Sequence, residues 1–155
     1  MKRIKLLYLI DELNIGGTEK QLLAVLDRLD RDNFEIYLVC LRGTDFFNVC
    51  SLNCHKTVLN VRSLASFSGL KALIIFSRFL KKEKIDIIQT FFFDATVFGV
   101  LAAKIAGVNR VLSSRRDMGF WYTPVTLAVL MFINTLTHRI VVNSESIKGL
   151  SLIHI

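Results

Sequence analysis

The chain has 155 residues, of which 52% are hydrophobic, 10% aromatic and 21% charged, with one proline and eight glycines. That length fits about one domain with a conventional core, and the composition excludes a disordered, collagen-like or low-complexity polypeptide. Twenty Lys and Arg against thirteen Asp and Glu give a formal charge of +7, which favours anionic partners such as phosphate groups or acidic lipid without choosing between them.

Ile4 to Ile10 is a nearly continuous apolar run, the pattern of a strand covered on both faces of a parallel sheet. It stops at Asp11. Thr18, with Gln21 three residues on, has the form of a capping box, and Leu22, Leu23, Leu26 and Leu29 recur at helical spacing, so the opening reads as strand, glycine loop, helix. Phe34 to Leu41 is rich in β-formers and reads as a second strand, closed by Arg42-Gly43. Cys40, Cys50 and Cys54 form an odd set with no signal peptide ahead of them, which suits a reducing cytoplasm. Cys50-x3-Cys54-His55 has only His138 and His154 as further histidines, so core or loop cysteines are expected and no metal.

Thr57 to Val61 is a weaker third strand. From Leu70 to Lys84, Leu70, Leu73, Ile74, Phe76, Phe79 and Leu80 oppose Lys71, Arg78, Lys81 and Lys82, an amphipathic helix with cations in its last turns. A core face plus a solvated face explains it; contact with a membrane surface is the sharper alternative. Asp86 to Thr90 is a short strand, Asp94 to Ala106 an apolar helix followed by Gly107, and Arg110 to Ser113 a further strand. With a mean hydropathy of +0.47, the uncharged window Met118 to Thr137 is long enough to be tested as a bilayer span. Gly119, Pro124, Asn134 and four threonines dilute it, and its apolar part, Val125 to Leu136, has the length of a buried or interfacial helix. Arg139 to Asn143 is the last strand. The alternation implies a doubly wound, mostly parallel, Rossmann-like α/β sheet.

In such a sheet, ligands bind beyond the carboxyl ends of the strands, so the loops there hold the candidates. Ile15-Gly16-Gly17-Thr18 opens the first helix: glycines admit close backbone approach, and free N–H groups with the helix dipole favour an anionic oxygen. A tight turn accounts for the two glycines equally well. A nicotinamide site would need Gly-x-Gly-x-x-Gly and an acid after the second strand; neither is present, although Arg42 suits an NADP phosphate, so that reading stands as a weaker alternative. The P-loop pattern is missing too, which sets aside a P-loop nucleotidase.

Asp94, after Phe91-Phe92-Phe93, reads as a helix N-cap rather than a catalytic acid, and three successive phenylalanines cannot all enter one core, which leaves one for a cleft wall. Ser113 to Tyr122 is the densest polar and aromatic cluster. There Arg115 and Arg116 suit phosphate or carboxylate, and Trp121 and Tyr122 suit sugar rings or a lipid interface; a salt bridge of either arginine with Asp117 is the plain alternative. Ser144 reads as a helix cap.

Three segments together carry a likeness: Gly16-Gly17-Thr18-Glu19 after the first strand, Asp86-Ile87-Ile88-Gln89 followed by the alanine-rich helix ending Ala106-Gly107-Val108, and Arg139-Ile140-Val141-Val142-Asn143-Ser144. From about Lys5 to Ile147 the chain resembles the N-terminal domain of family-4-type glycosyltransferases, one half of a GT-B fold. The resemblance implies a two-domain enzyme that moves a sugar from a nucleotide-sugar donor to a glycan or lipid-linked acceptor with retention of configuration. It implies no cofactor beyond that substrate, no nucleic acid, and a place in the cytoplasm at the inner face of the membrane, in polysaccharide or cell-envelope synthesis.

By position, Gly16, Gly17 and Thr18 would lie near the donor diphosphate, whose departure backbone donors stabilise, and Asp94, Arg115, Arg116, Trp121 and Tyr122 would contact acceptor or phosphate. Where the family often carries a histidine, this chain has Arg115, which cannot act as a base near neutral pH. Residues 1–149 are the expected acceptor-side domain, the second, donor-binding domain is not in this sequence, and Leu150 to Ile155 does not resemble the family's continuation. The fragment alone is expected to be inactive. The non-enzymatic alternative is a membrane-surface or partner-binding module using the helix Leu70 to Lys84 and the segment Met118 to Leu136.

Overall fold

The computed structural model describes residues 2–115 and 123–142. Six strands make one parallel sheet in the order β3-β2-β1-β4-β5-β6: β1 (Ile4–Ile10), β2 (Phe34–Cys40), β3 (His55–Val58), β4 (Ile87–Phe91), β5 (Arg110–Arg115) and β6 (Arg139–Val142). Between them run α1 (Gly17–Arg28), α2 (Asp45–Val49), α3 (Phe67–Glu83), α4 (Phe93–Ala106) and α5 (Pro124–Thr135). Each strand pairs in parallel with its neighbours, so all the carboxyl ends lie along one edge.

The continuous apolar runs are explained by burial on both faces of the sheet. One face of β1 and β2, with Leu6, Tyr8, Ile10, Ile36 and Leu38, is covered by Leu22 and Leu26 of α1 and Phe47 of α2. The other face, with Leu7, Leu9, Val39, Ile88 and Val111, is covered by Phe76 and Leu80 of α3, much of α4, and Ile133 of α5. Gly99 lets α4 approach closely: a Cβ there would stand 2.6 Å from Leu9 Cδ2 and 2.7 Å from Thr90 Cγ2. Beneath the first turns of α4, the buried hydroxyls of Thr90, Thr96 and Ser113 satisfy one another, with Thr90 and Thr96 3.1 Å apart.

Several expectations are corrected. A helix was not expected between the second and third strands, yet a parallel pair needs a crossover, and α2 supplies part of it, capped by Thr44, whose hydroxyl accepts from Phe47 N at 3.1 Å. The third strand begins at His55, two residues before the expected start at Thr57. Thr18 is not the cap of α1: Gly16 holds that position in extended conformation, and Thr18 lies within the first turn. Asp94 is likewise not the cap of α4, a position Phe92 takes. The window from Met118 to Thr137 contains the 12-residue α5, and among the described residues no helix is long and apolar enough to cross a membrane.

Candidate functional site

Connections from β1 lead through α1 and α2 toward β3, and those from β4 lead the other way, so the sheet order reverses between β1 and β4. A crevice outside the carboxyl ends at such a reversal is where doubly wound sheets bind ligands. The β1–α1 loop, the end of β2 and the β4–α4 junction meet there.

The glycine bend is explained by space rather than by a turn. Gly16 is extended at φ −123 and ψ 177, and among the described glycines only Gly107 has a positive φ. A Cβ on Gly17, an exposed residue, would meet nothing within 4 Å. On Gly16 it would collide with Glu19 Oε2, so the Glu19 carboxylate folds back over the bend and occupies one side of it. Gly16 offers no side-chain cap to the first N–H groups of α1, and Thr18, half-buried, lies among them. An uncapped helix N-terminus with an open flank at Gly17 suits a phosphate oxygen; a first-turn carboxylate on the helix dipole is the competitor already present.

Sequence reasoning did not find the ionic hub next to this bend. Arg42, just beyond β2, donates from Nε to Glu12 Oε1 at 2.7 Å and from Nη1 to Asp94 Oδ2 at 2.8 Å, and its Nη2 lies 3.6 Å from Asp11 Oδ2. Asp11 Oδ1 accepts from Ala95 N at 2.6 Å, so the N-terminus of α4 is filled by the protein's own carboxylate. Burial pushes the Asp11 carboxyl up to about 6, against the opposing pull of the Ala95 amide and the Arg42 charge. With three carboxylates around it, Arg42 is already engaged and is not a free cation for an NADP phosphate. The signal was present as Asp11-Glu12 and Asp94, but nothing in the spacing says that β2 falls beside β1 and β1 beside β4.

Arg115 ends β5, and its Nη2 donates to Asn134 Oδ1 on α5 at 2.7 Å, while its Nε is buried without a hydrogen-bond partner among the described residues. Arg115 is thus held by α5. Arg116, Trp121, Tyr122 and Ser144 lie outside the described residues. Of the three phenylalanines, Phe91 is buried, while Phe92 and Phe93 are half-buried. Phe92 adopts φ 66 and ψ 177, a region almost confined to glycine, at the corner that opens the crevice. Cys40 is buried, with its thiol pushed up to about 12 by that burial, which makes it a core residue and no nucleophile. Two cavities of about 410 and 330 Å³ open at the opposite edge, around Arg31 and His55 and around Asp86 and Arg110, far from the strand ends that bind ligands in this architecture.

Solved structures share this architecture. The chain superposes on a galactosyltransferase of the lipopolysaccharide outer core, WaaB in its apo form, with a TM-score of 0.71 at 15% identity over 97% of this chain and 42% of that one. It superposes on HepE from Anabaena, solved with UDP and glucose, with a TM-score of 0.75 at 17% identity over 98% of this chain and 41% of that one. For MurG of Acinetobacter baumannii the TM-score is 0.67 at 20% identity, over 91% and 41%. The fold is therefore the Rossmann-like architecture of one half of a GT-B fold. The model of Glycosyltransferase Family 4 matches residues 15–151, and the chain belongs to that family. A curated relative, the Escherichia coli UDP-Gal:alpha-D-GlcNAc-diphosphoundecaprenol alpha-1,3-galactosyltransferase, is 28% identical over 109 residues, 68% of this chain. The chain spans 28% of that relative's length.

Proposed function

We propose that this chain is the acceptor-side half of a retaining, hexosyltransferase-like enzyme that moves a sugar from a nucleotide-sugar donor to a glycan or lipid-linked acceptor in polysaccharide or cell-envelope synthesis. Residues 1–149 form that half, and a second, donor-binding domain completes the enzyme. The observation that carries the reading is the uncapped N-terminus of α1, open at Gly17, at the point where the strand order reverses. Backbone N–H groups of the first turn donate to the oxygens of the departing nucleotide diphosphate and stabilise the charge that builds there, and they are fixed before the reaction begins. Asp94, in the first turn of α4, and Arg115, at the end of β5, are assigned to acceptor or phosphate contact in this reading, as are Arg116, Trp121 and Tyr122 by their place in the sequence. No cofactor is needed beyond the sugar nucleotide, and no nucleic acid takes part. The family membership and the relative's use of UDP-Gal support the donor class.

A peripheral contact with the inner face of the cytoplasmic membrane belongs to the same reading. α3 leaves Phe67, Leu70, Ile74 and Ile75 exposed and carries Lys71, Arg78, Lys81 and Lys82 on its exposed positions. Titration of UDP into the labelled chain, followed by amide chemical shifts, tests the donor site. Shifts concentrated at residues 16–19, weakened by Gly17→Val, are expected; shifts elsewhere with residues 16–19 unmoved would refute it.

A further inference from the structure

On the reading that the Gly16–Gly17 bend takes the diphosphate, we propose that Arg42 is the positioning residue of that bend, fixing it against the first turn of α4. Two chain segments, one holding Asp11 and Glu12 and the other Asp94, converge on this one guanidinium. The fork binds Glu12 and Asp94 at 2.7 and 2.8 Å, which joins the β1–α1 loop to α4 through a side chain that springs from just beyond β2. The backbone of the same residue adds a second tie, Arg42 N donating to Asp11 O at 2.9 Å. Thr44 Oγ1, two residues on, donates to Leu13 O at 2.5 Å and holds the middle of the loop. Asp11 Oδ1 then reaches across to Ala95 N, closing a ring of contacts around the floor of the crevice.

Without Arg42, Asp11, Glu12 and Asp94 would face one another uncompensated, and like charges at this range repel. The β1–α1 loop would then move away from α4. The consequence for the bend is direct, because Gly16 is four residues beyond Glu12 and, without Arg42, the side-chain hydrogen bond left between the loop and α4 among the described residues is the one from Ala95 N to Asp11 Oδ1, a residue earlier in the loop than Glu12. A guanidinium is needed for this, since its planar fork reaches two carboxylates at fixed angles, whereas a lysine ammonium is a point charge.

Amide hydrogen exchange of this chain, resolved by NMR, tests the assignment with Arg42→Met, Arg42→Lys and Asp94→Asn. Arg42→Met is expected to speed exchange at residues 13–18 and at Ala95 by about ten-fold or more, while β1, β2 and β4 keep wild-type rates. Arg42→Lys should recover only part of the protection. Asp94→Asn, which leaves Arg42 on Glu12 and serves if Arg42→Met does not fold, should loosen Ala95 more than the bend. Uniform acceleration across the sheet, or a bend unchanged in Arg42→Met, would overturn the proposal. UDP titration separates it from the donor reading. A wild type that takes up no UDP, with a bend that still loosens in Arg42→Met, refutes the donor site and supports the positioning role. UDP bound equally by wild type and Arg42→Met, with the bend unmoved, refutes the positioning role.

Discussion

Glu19 occupies one side of the very bend assigned to a diphosphate, and its carboxylate is the charge an incoming phosphate must displace. Glu19→Gln is therefore expected to strengthen UDP binding several-fold in a calorimetric titration; equal or weaker binding would show that the carboxylate does not compete. Asp11 gives a prediction in pH. Its carboxyl is raised by burial from an ordinary value near 3.8 to about 6, so the native state holds a proton that the unfolded chain releases first. The stability this group contributes is fully present below pH 3.8 and is lost as pH rises through about 6, a fall of about 2–3 kcal/mol. Urea unfolding from pH 4 to 7 should show that fall in the wild type and not in Asp11→Asn, which keeps an oxygen for Ala95 N. The glycines of the bend were legible as a candidate site, because a glycine pair between a strand and a helix is a local signal. The arrangement of Asp11, Glu12, Arg42 and Asp94 was not, because it depends on which strands lie side by side. Asp94 shows the difference: read locally it is a cap, and only the sheet order makes it a partner of Arg42.

The strongly periodic elements were legible almost to the residue: β1 was expected at Ile4 to Ile10 and lies there. α4 was expected from Asp94 and starts one residue earlier. α2 was missed because five residues are too few to show a period, although Thr44 before Asp45 is a cap signal. In α4, Gly99→Ala is expected to destabilise by about 1–3 kcal/mol despite its higher helix propensity, since the methyl group would overlap Leu9 and Thr90. A lower urea midpoint with an unchanged slope checks it. On α3, Phe67 is 85% exposed and Leu70 53%, more than a solvated helix face requires. Co-sedimentation with phosphatidylglycerol vesicles, but not with phosphatidylcholine vesicles, is expected. It should fall with Lys81→Glu/Lys82→Glu through charge and with Phe67→Ser/Leu70→Ser through lost apolar contact. Equal sedimentation of all three proteins would refute the contact.

Across the molecule, stability is concentrated where the two cores share a wall. β1 pairs with β2 on one side and β4 on the other and feeds side chains into both clusters. The edge strands β3 and β6 have four residues each and alternate between exposed and half-buried positions. Amide exchange should therefore be slowest in β1 and the facing residues of β2 and β4, and fastest among the strands in β3 and β6. The doubly wound class was legible because alternation of strand and helix forces parallel pairing, whereas the burial of each residue awaited the sheet order.

All the sheet-covering helices of the α3–α4–α5 layer begin at the edge where the strands end, and Phe67 stands at the first position of α3. A planar interface that received Phe67 would thus meet the molecule at the sheet edge that also carries Gly17. A reactant tethered within that plane would then reach the opening by lateral diffusion, a search in two dimensions in place of three.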